Sequence, residues 1–134
     1  MSFGAYLIGS WEGRLGVGTS LQIINPMVYD LNIRIAFLDE NEHFLLYKSY
    51  ELSPNDLVEI NVPELKLSAK FGVVKIISHK NGNVKEGIVG FQRQILLAAF
   101  EKDVEVAFSE APLSAVPNME FAIDEFKRLD ERCP

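Results

Sequence analysis

The sequence predicts a mainly β protein, an antiparallel β-sandwich or jelly-roll-like domain of seven to eight strands with a C-terminal amphipathic α-helix. Three observations predict it. Apolar and polar residues alternate with a period of two in run after run between residues 19 and 108, as strands with one buried face require. Turn residues punctuate these runs at near-regular spacing, with no helical pattern between them, which marks antiparallel layers. Beyond residue 117 the apolar period changes to that of a helix. The 134 residues read as a single domain, 1–134, with the sandwich over about 5–110 and the helix over about 118–131. A chain of this length buries roughly two thirds of its unfolded surface and needs no disulfide or metal to hold it.

Taken in order, Thr19, Leu21 and Ile23 alternate up to Asn25-Pro26, a stop and turn signal. Leu31, Ile33, Ile35 and Phe37 occupy successive odd positions, separated by Asn32, Arg34 and Ala36, which is the cleanest strand pattern in the chain. "DENE" (39–42) closes a hairpin onto residues 43–52. There Phe44, Leu46, Tyr50 and Leu52 share one side, while Leu45 and Tyr47 fall on the other. An apolar residue on both faces implies a second covered surface, supplied by the C-terminal helix or by a partner subunit.

Ser53-Pro54-Asn55-Asp56 is a turn by composition, and Val58, Ile60 and Val62 alternate until Pro63 ends the strand. "FGVVKIIS" (71–78) is apolar on both faces, as a central strand covered from both sides would be. "NGN" (81–83) supplies the positive φ angles of a type I′ turn and predicts "IVGFQRQIL" (88–96) as the return strand. Val104, Val106 and Phe108 mark one more strand. Met119, Ala122, Ile123, Phe126 and Leu129 then follow helical spacing, with Asn118 as N-cap and Glu120 in the first turn. That stripe must be buried against the chain's own sandwich or against a neighbouring subunit.

Composition removes several classes of function. Thirteen basic residues are scattered among 19 acidic ones, for a net charge of −6. The densest basic pair, Lys127-Arg128, is hemmed in by Asp124, Glu125, Asp130 and Glu131, so nothing here neutralises phosphates or an anionic membrane surface. No apolar run approaches the ~20 residues that span a bilayer. The stretch "MSFGAYLIGSWEGR" has no basic region and only a short apolar patch, and so does not read as a signal peptide. Cys133 is the single cysteine, so no intrachain disulfide forms. These features lead to the expectation of a cytoplasmic protein.

The motifs that could carry chemistry are few. "GRLGVGTS" (13–20) leads into a strand instead of a helix and has no Lys after its last Gly, so it lacks what a phosphate cradle needs. Asp39, Glu40 and Glu42 at a hairpin tip offer too few oxygens for Ca²⁺ without a second loop. His43 and His79 stand at strand ends without Cys, Asp or Glu at zinc-ligand spacing. Cys133, next to the chain end, has nothing to hold it as a nucleophile. We therefore expect no catalytic residues, no metal ligands and no cofactor. Trp11 is the candidate ligand-stacking residue, with Tyr6, Tyr29, Tyr47 and Tyr50 as further aromatics able to meet an apolar sugar face, against the alternative of core positions.

The order "WEG" (11–13), "LQIINPMVYDLNIRIAFLDENE", "YELSPNDLVEINVPEL" and "GVVKIIS…GIVGFQRQ" resembles the sensory rhodopsin transducer family of small cytoplasmic β-sandwich proteins, over about residues 11–95. The resemblance implies an oligomeric, non-enzymatic module of the signal-transduction kind, one relative of which docks on the cytoplasmic face of a microbial rhodopsin. Trp11 and Glu12 are adjacent here, and the long C-terminal helix is added to that pattern, so no functional residue is carried over.

The expected function is a non-catalytic, self-associating protein-interaction module, with Leu45, Tyr47, Met119, Ile123, Phe126 and Leu129 as the candidate interaction surface. Its expected partners are itself, as a homo-oligomer, and another protein, with no nucleic acid. The alternatives are a carbohydrate or small-ligand binding sandwich and an enzyme with a loop-built site.

Overall fold

The computed structural model of the chain describes residues 4–13, 17–85, 87–98 and 104–132. Two antiparallel sheets stack on one another. The larger has the order β10 (Ser114–Ala115), β1 (Tyr6–Glu12), β6 (Phe71–Lys80), β3 (Leu31–Asp39), β4 (Phe44–Leu52), with β7 (Asn83–Val84) on the end of β6. The smaller has the order β5 (Leu57–Asn61), β2 (Val17–Ile24), β8 (Val89–Ala98), β9 (Val104–Pro112). A short 3-10 helix (Val62–Leu65) follows β5, and α1 (Met119–Arg132) ends the chain. The mainly β, sandwich-like architecture is the one that the alternation predicts; eight of the ten strands have five residues or more.

The alternating residues build the inner core. Leu31, Ile33, Ile35 and Phe37 of β3, with Val74 and Ile76 of β6, face Leu21 and Ile23 of β2 and Ile60 of β5, all at 5% exposure or less. Each such side chain contributes roughly 1.5–3 kcal/mol of transfer free energy on burial. Ile76 lies in this core while Ile77 points to the opposite side under α1, so β6 is covered on both faces, as its sequence predicts.

Asn25 does more than stop a strand. It is fully buried; its Nδ2 donates to the Tyr29 carbonyl (2.8 Å) and the Leu52 carbonyl (2.9 Å), and its Oδ1 accepts from Met27 N–H. One side chain thereby ties the turn at 25–30 to the end of β4.

Two expectations are corrected. Residues 88–96 do not return beside 71–78; β8 lies in the other sheet, between β2 and β9. The reason is that β1 and β3 already occupy both edges of β6, leaving room only for the two-residue β7 after the Asn81-Gly82 turn. That turn has positive φ at both residues, 53° and 80°. Second, Leu45 and Tyr47 do not share a face. Phe37 pairs with Leu46 and Leu38 with Phe44, so Leu45 is the extra residue of a β-bulge. The bulge sends Leu45 and Leu46 toward the inner core and Phe44 and Tyr47 to the outer side.

Candidate functional site

The outer face of the larger sheet is the most chemically varied surface of the molecule, because β3 and β6 present their second set of side chains there. Tyr6, Ala36, Leu38 and Ile77 form its apolar floor, and Ala122, Phe126 and Leu129 of α1 cover it. Asn118 caps the helix, its Oδ1 accepting from Phe121 N–H at 3.1 Å. The Phe121 ring stacks on Tyr6 at 6.0 Å. The helix therefore finds its cover within its own chain.

A charged cluster is buried in this layer. Lys75, central in β6, donates to Glu125 Oε1 at 2.9 Å, and Arg128 donates to the same oxygen at 2.6 Å. Glu42, at the β3–β4 hairpin tip, stands 3.9 Å from Lys75 Nζ. Burial works against ionisation of Glu125, but the hydrogen bonds from Lys75 and Arg128 outweigh it and hold the carboxyl below its ordinary value. Burial, then the neighbouring Glu125, pushes the Tyr6 phenol well above the usual tyrosine range.

Beside this cluster, the Arg34 guanidinium lies 4.7 Å from the Phe126 ring centre and 5.9 Å from that of Tyr47. His79 packs on Phe126 at 4.9 Å, and its Nδ1 is buried without a hydrogen-bond partner. Burial, and next Arg34, lower the His79 pKa, so the imidazole is neutral at neutral pH. An open cleft of about 260 Å³ adjoins this pair, lined by Asn32, Arg34, Ser49, Tyr50, Glu51 and His79. A second cleft, of about 270 Å³, lies toward the C-terminal end of the helix, between Glu42, His43, Phe44, Arg128 and Leu129.

The sequence-predicted site residues are placed as follows. Leu45 is half-buried on the inner core; Tyr47, on the outer side of the larger sheet, and Met119, the first residue of α1, are half-buried; Phe126 (8% exposed) and Leu129 (2%) are buried. Only Ile123, at 37%, is open to solvent. These six residues therefore do not form one accessible surface, because the helix folds back on its own sheet. Trp11 is 2% exposed, edge-on to Phe37, and its Nε1–H donates to the Leu38 carbonyl at 2.8 Å. A ring so placed offers no face to a ligand, which corrects the stacking expectation. Cys133 lies outside the described residues, as do residues 14–16 of the glycine-rich segment; Gly18 enters β2 as a strand residue.

The carboxylate of Asp39 holds its own turn, accepting from the backbone N–H groups of Asn41 and His43 at 2.8 Å each. The His43 N–H bond is the main reason that its pKa is lowered. Among the described residues, no group of three His, Cys, Asp or Glu converges as a metal site, and no helix is long and apolar enough to cross a membrane.

The smaller sheet turns a different surface outward. Thr19, Leu21 and Ile23 point in, so Ser20, Gln22 and Ile24 lie on the other side of the sheet, Ser20 buried and the other two half-buried. In register, Leu57, Ile24 and Val89 lie side by side, with Glu59, Gln22 and Phe91 in the next row. Leu57 is 52% exposed, and Ile24 and Phe91 are half-buried. On the same side Val89 (5% exposed) and Ser20 (0%) are buried, so the open part of this face is the edge around Leu57.

No family model matches this chain, and no curated protein matches it. Among solved structures, the crystal structure of Thermotoga maritima 1070 has a similar fold: TM-score 0.62 at 17% sequence identity, covering 87% of this chain and 97% of that one. At that identity the likeness establishes the fold alone, an antiparallel β-sandwich-like domain with one C-terminal helix.

Proposed function

We propose that this chain is a non-catalytic module that assembles with copies of itself and docks another protein, an adaptor of the transducer kind working in a reducing cytosol. The observation that carries the reading is Leu57, 52% exposed, beside the half-buried Ile24 and Phe91 on the outer side of the smaller sheet. An apolar group open at one edge and rimmed by polar residues such as Glu59 and Gln22 supports a protein contact there. The partner for such a face is first of all another copy, whose identical row is available at the same concentration. Light scattering on the wild type and on Leu57→Glu tests this reading: the wild type forms oligomers, and the substitution, at an exposed position, lowers their mass without unfolding. Equal mass for both proteins overturns it.

A second reading, a binding site for a small polar or carbohydrate ligand, is favoured by the unpartnered His79 Nδ1 beside the cleft of Asn32, Ser49 and Glu51. It no longer involves Trp11. Shifts of the His79 ring resonances on titration with simple sugars support it, and unchanged resonances dispose of it.

A further inference from the structure

We propose that α1 is a transferable cover: the sheet face beneath it is a docking site for the same helix of a second copy, so that two chains exchange helices. The inference rests on the self-association proposed above and adds a second contact between the copies, on the larger sheet.

The inner core is complete without the helix. Its fully buried members come from the two sheets, the 3-10 helix, Ile88 and Leu113, and none comes from α1. The layer under α1 differs in kind. On the inner side the buried polar side chains Thr19 and Asn25 are uncharged and hydrogen-bonded; under the helix the layer includes the charges of Lys75 and Glu125 and the orphaned Nδ1 of His79, with Arg34 against Phe126. Buried charge pairs contribute little net stability but fix one geometry, and a mixed polar layer of this kind is typical of interfaces that open.

The tether is short. Residues 116–118 join the two-residue β10 to the helix, and the Val116 N–H bond to the Tyr6 carbonyl is the last sheet contact before Pro117. Short hinges favour exchange of a terminal element. An uncovered face bearing Tyr6, Leu38, Phe44 and Ile77 would be too apolar to stay in water. The α1 of a second copy meets it with the same Ala122, Phe126 and Leu129, and with the same Glu125 for Lys75.

Charge reversal tests this by complementation. Lys75→Glu alone faces Glu125, and Glu125→Lys alone faces Lys75, so each purified variant is expected to lose amide protection in α1, by about tenfold or more relative to β3. When the two are mixed, an exchanged pair holds one native and one reversed contact. The proposal expects a 1:1 heterodimer by native mass spectrometry, with α1 protection restored; no change on mixing overturns it. Should either variant fail to fold, the wild type answers instead. A spin label on Cys133, just past α1, must broaden the Leu38 and Phe44 amides of an unlabelled, ¹⁵N-enriched second copy, and no intermolecular broadening there overturns the proposal. Oligomers that persist without complementation or broadening leave the self-association reading standing and remove only the exchange; a monomer at every concentration removes both.

Discussion

Lys75 and Glu125, fifty residues apart in the chain, meet at 2.9 Å with side chains only 7% and 6% exposed, and this pair fixes where α1 sits on the larger sheet. Taking two charges out of water costs several kcal/mol each, which the short contact, the second donor Arg128 and the nearby Glu42 offset. The pair therefore acts more on specificity than on stability.

Removing one partner should be costly. Glu125→Ala leaves the Lys75 charge buried, with an expected loss of about 3–5 kcal/mol in urea unfolding. The double substitution Lys75→Met with Glu125→Met should recover most of that loss or exceed the wild type. Arg128, half exposed at 49%, should cost no more than about 1 kcal/mol when replaced by Ala.

His79 should make the protein acid-sensitive. Its pKa is lowered in the folded state, by burial first and then by Arg34, so the folded chain binds fewer protons than the unfolded chain. Stability from this group is fully present above the ordinary value of 6.5 and declines as the pH falls below it toward the folded pKa. Melting temperatures measured from pH 8 down to 5 should fall on the acid side, and His79→Gln should flatten that part of the curve.

Trp11 should behave as a core residue. Its emission should be blue-shifted and poorly quenched by iodide, and it should not change when sugars are added. Trp11→Phe leaves the buried Leu38 carbonyl without its donor, at an expected cost of about 1–3 kcal/mol in chemical denaturation.

Gly72 should tolerate no side chain. A Cβ there would stand 1.9 Å from the Leu38 carbonyl oxygen and 2.9 Å from the Asp39 Cα, both backbone atoms that cannot swing aside. Gly72→Ala should destabilise by about 1–3 kcal/mol or more, read as a drop in melting temperature. Gly82, with open space around it, serves as the contrasting position where only its φ of 80° resists substitution.

How much of this was legible depends on range. Alternation in 31–37 reports a local property, the side on which each residue is buried, and the inner core follows it residue by residue. The helix was legible for the same reason, including its Asn118 cap. The destination of its stripe was not, since periodicity says that a face is covered but not by what. The bulge at Leu45 was invisible because one added residue leaves both neighbouring runs apolar while reversing their sides. The path of 88–96 was missed because an Asn-Gly turn predicts a local hairpin, whereas the pairing of β8 was decided by which edges of β6 were already taken. One usable signal for the charged cluster was present: a lone Lys inside "FGVVKIIS" must find a carboxylate, and only distance in sequence concealed Glu125.

Sedimentation of the unmodified protein from ~1 to ~100 µM, a range that brackets weak and standard-size interfaces, tests self-association most directly. Assembly through the outer side of the smaller sheet predicts a mass that rises with concentration above the 15.1 kDa of one chain. A single 15.1 kDa species across the whole range would contradict it.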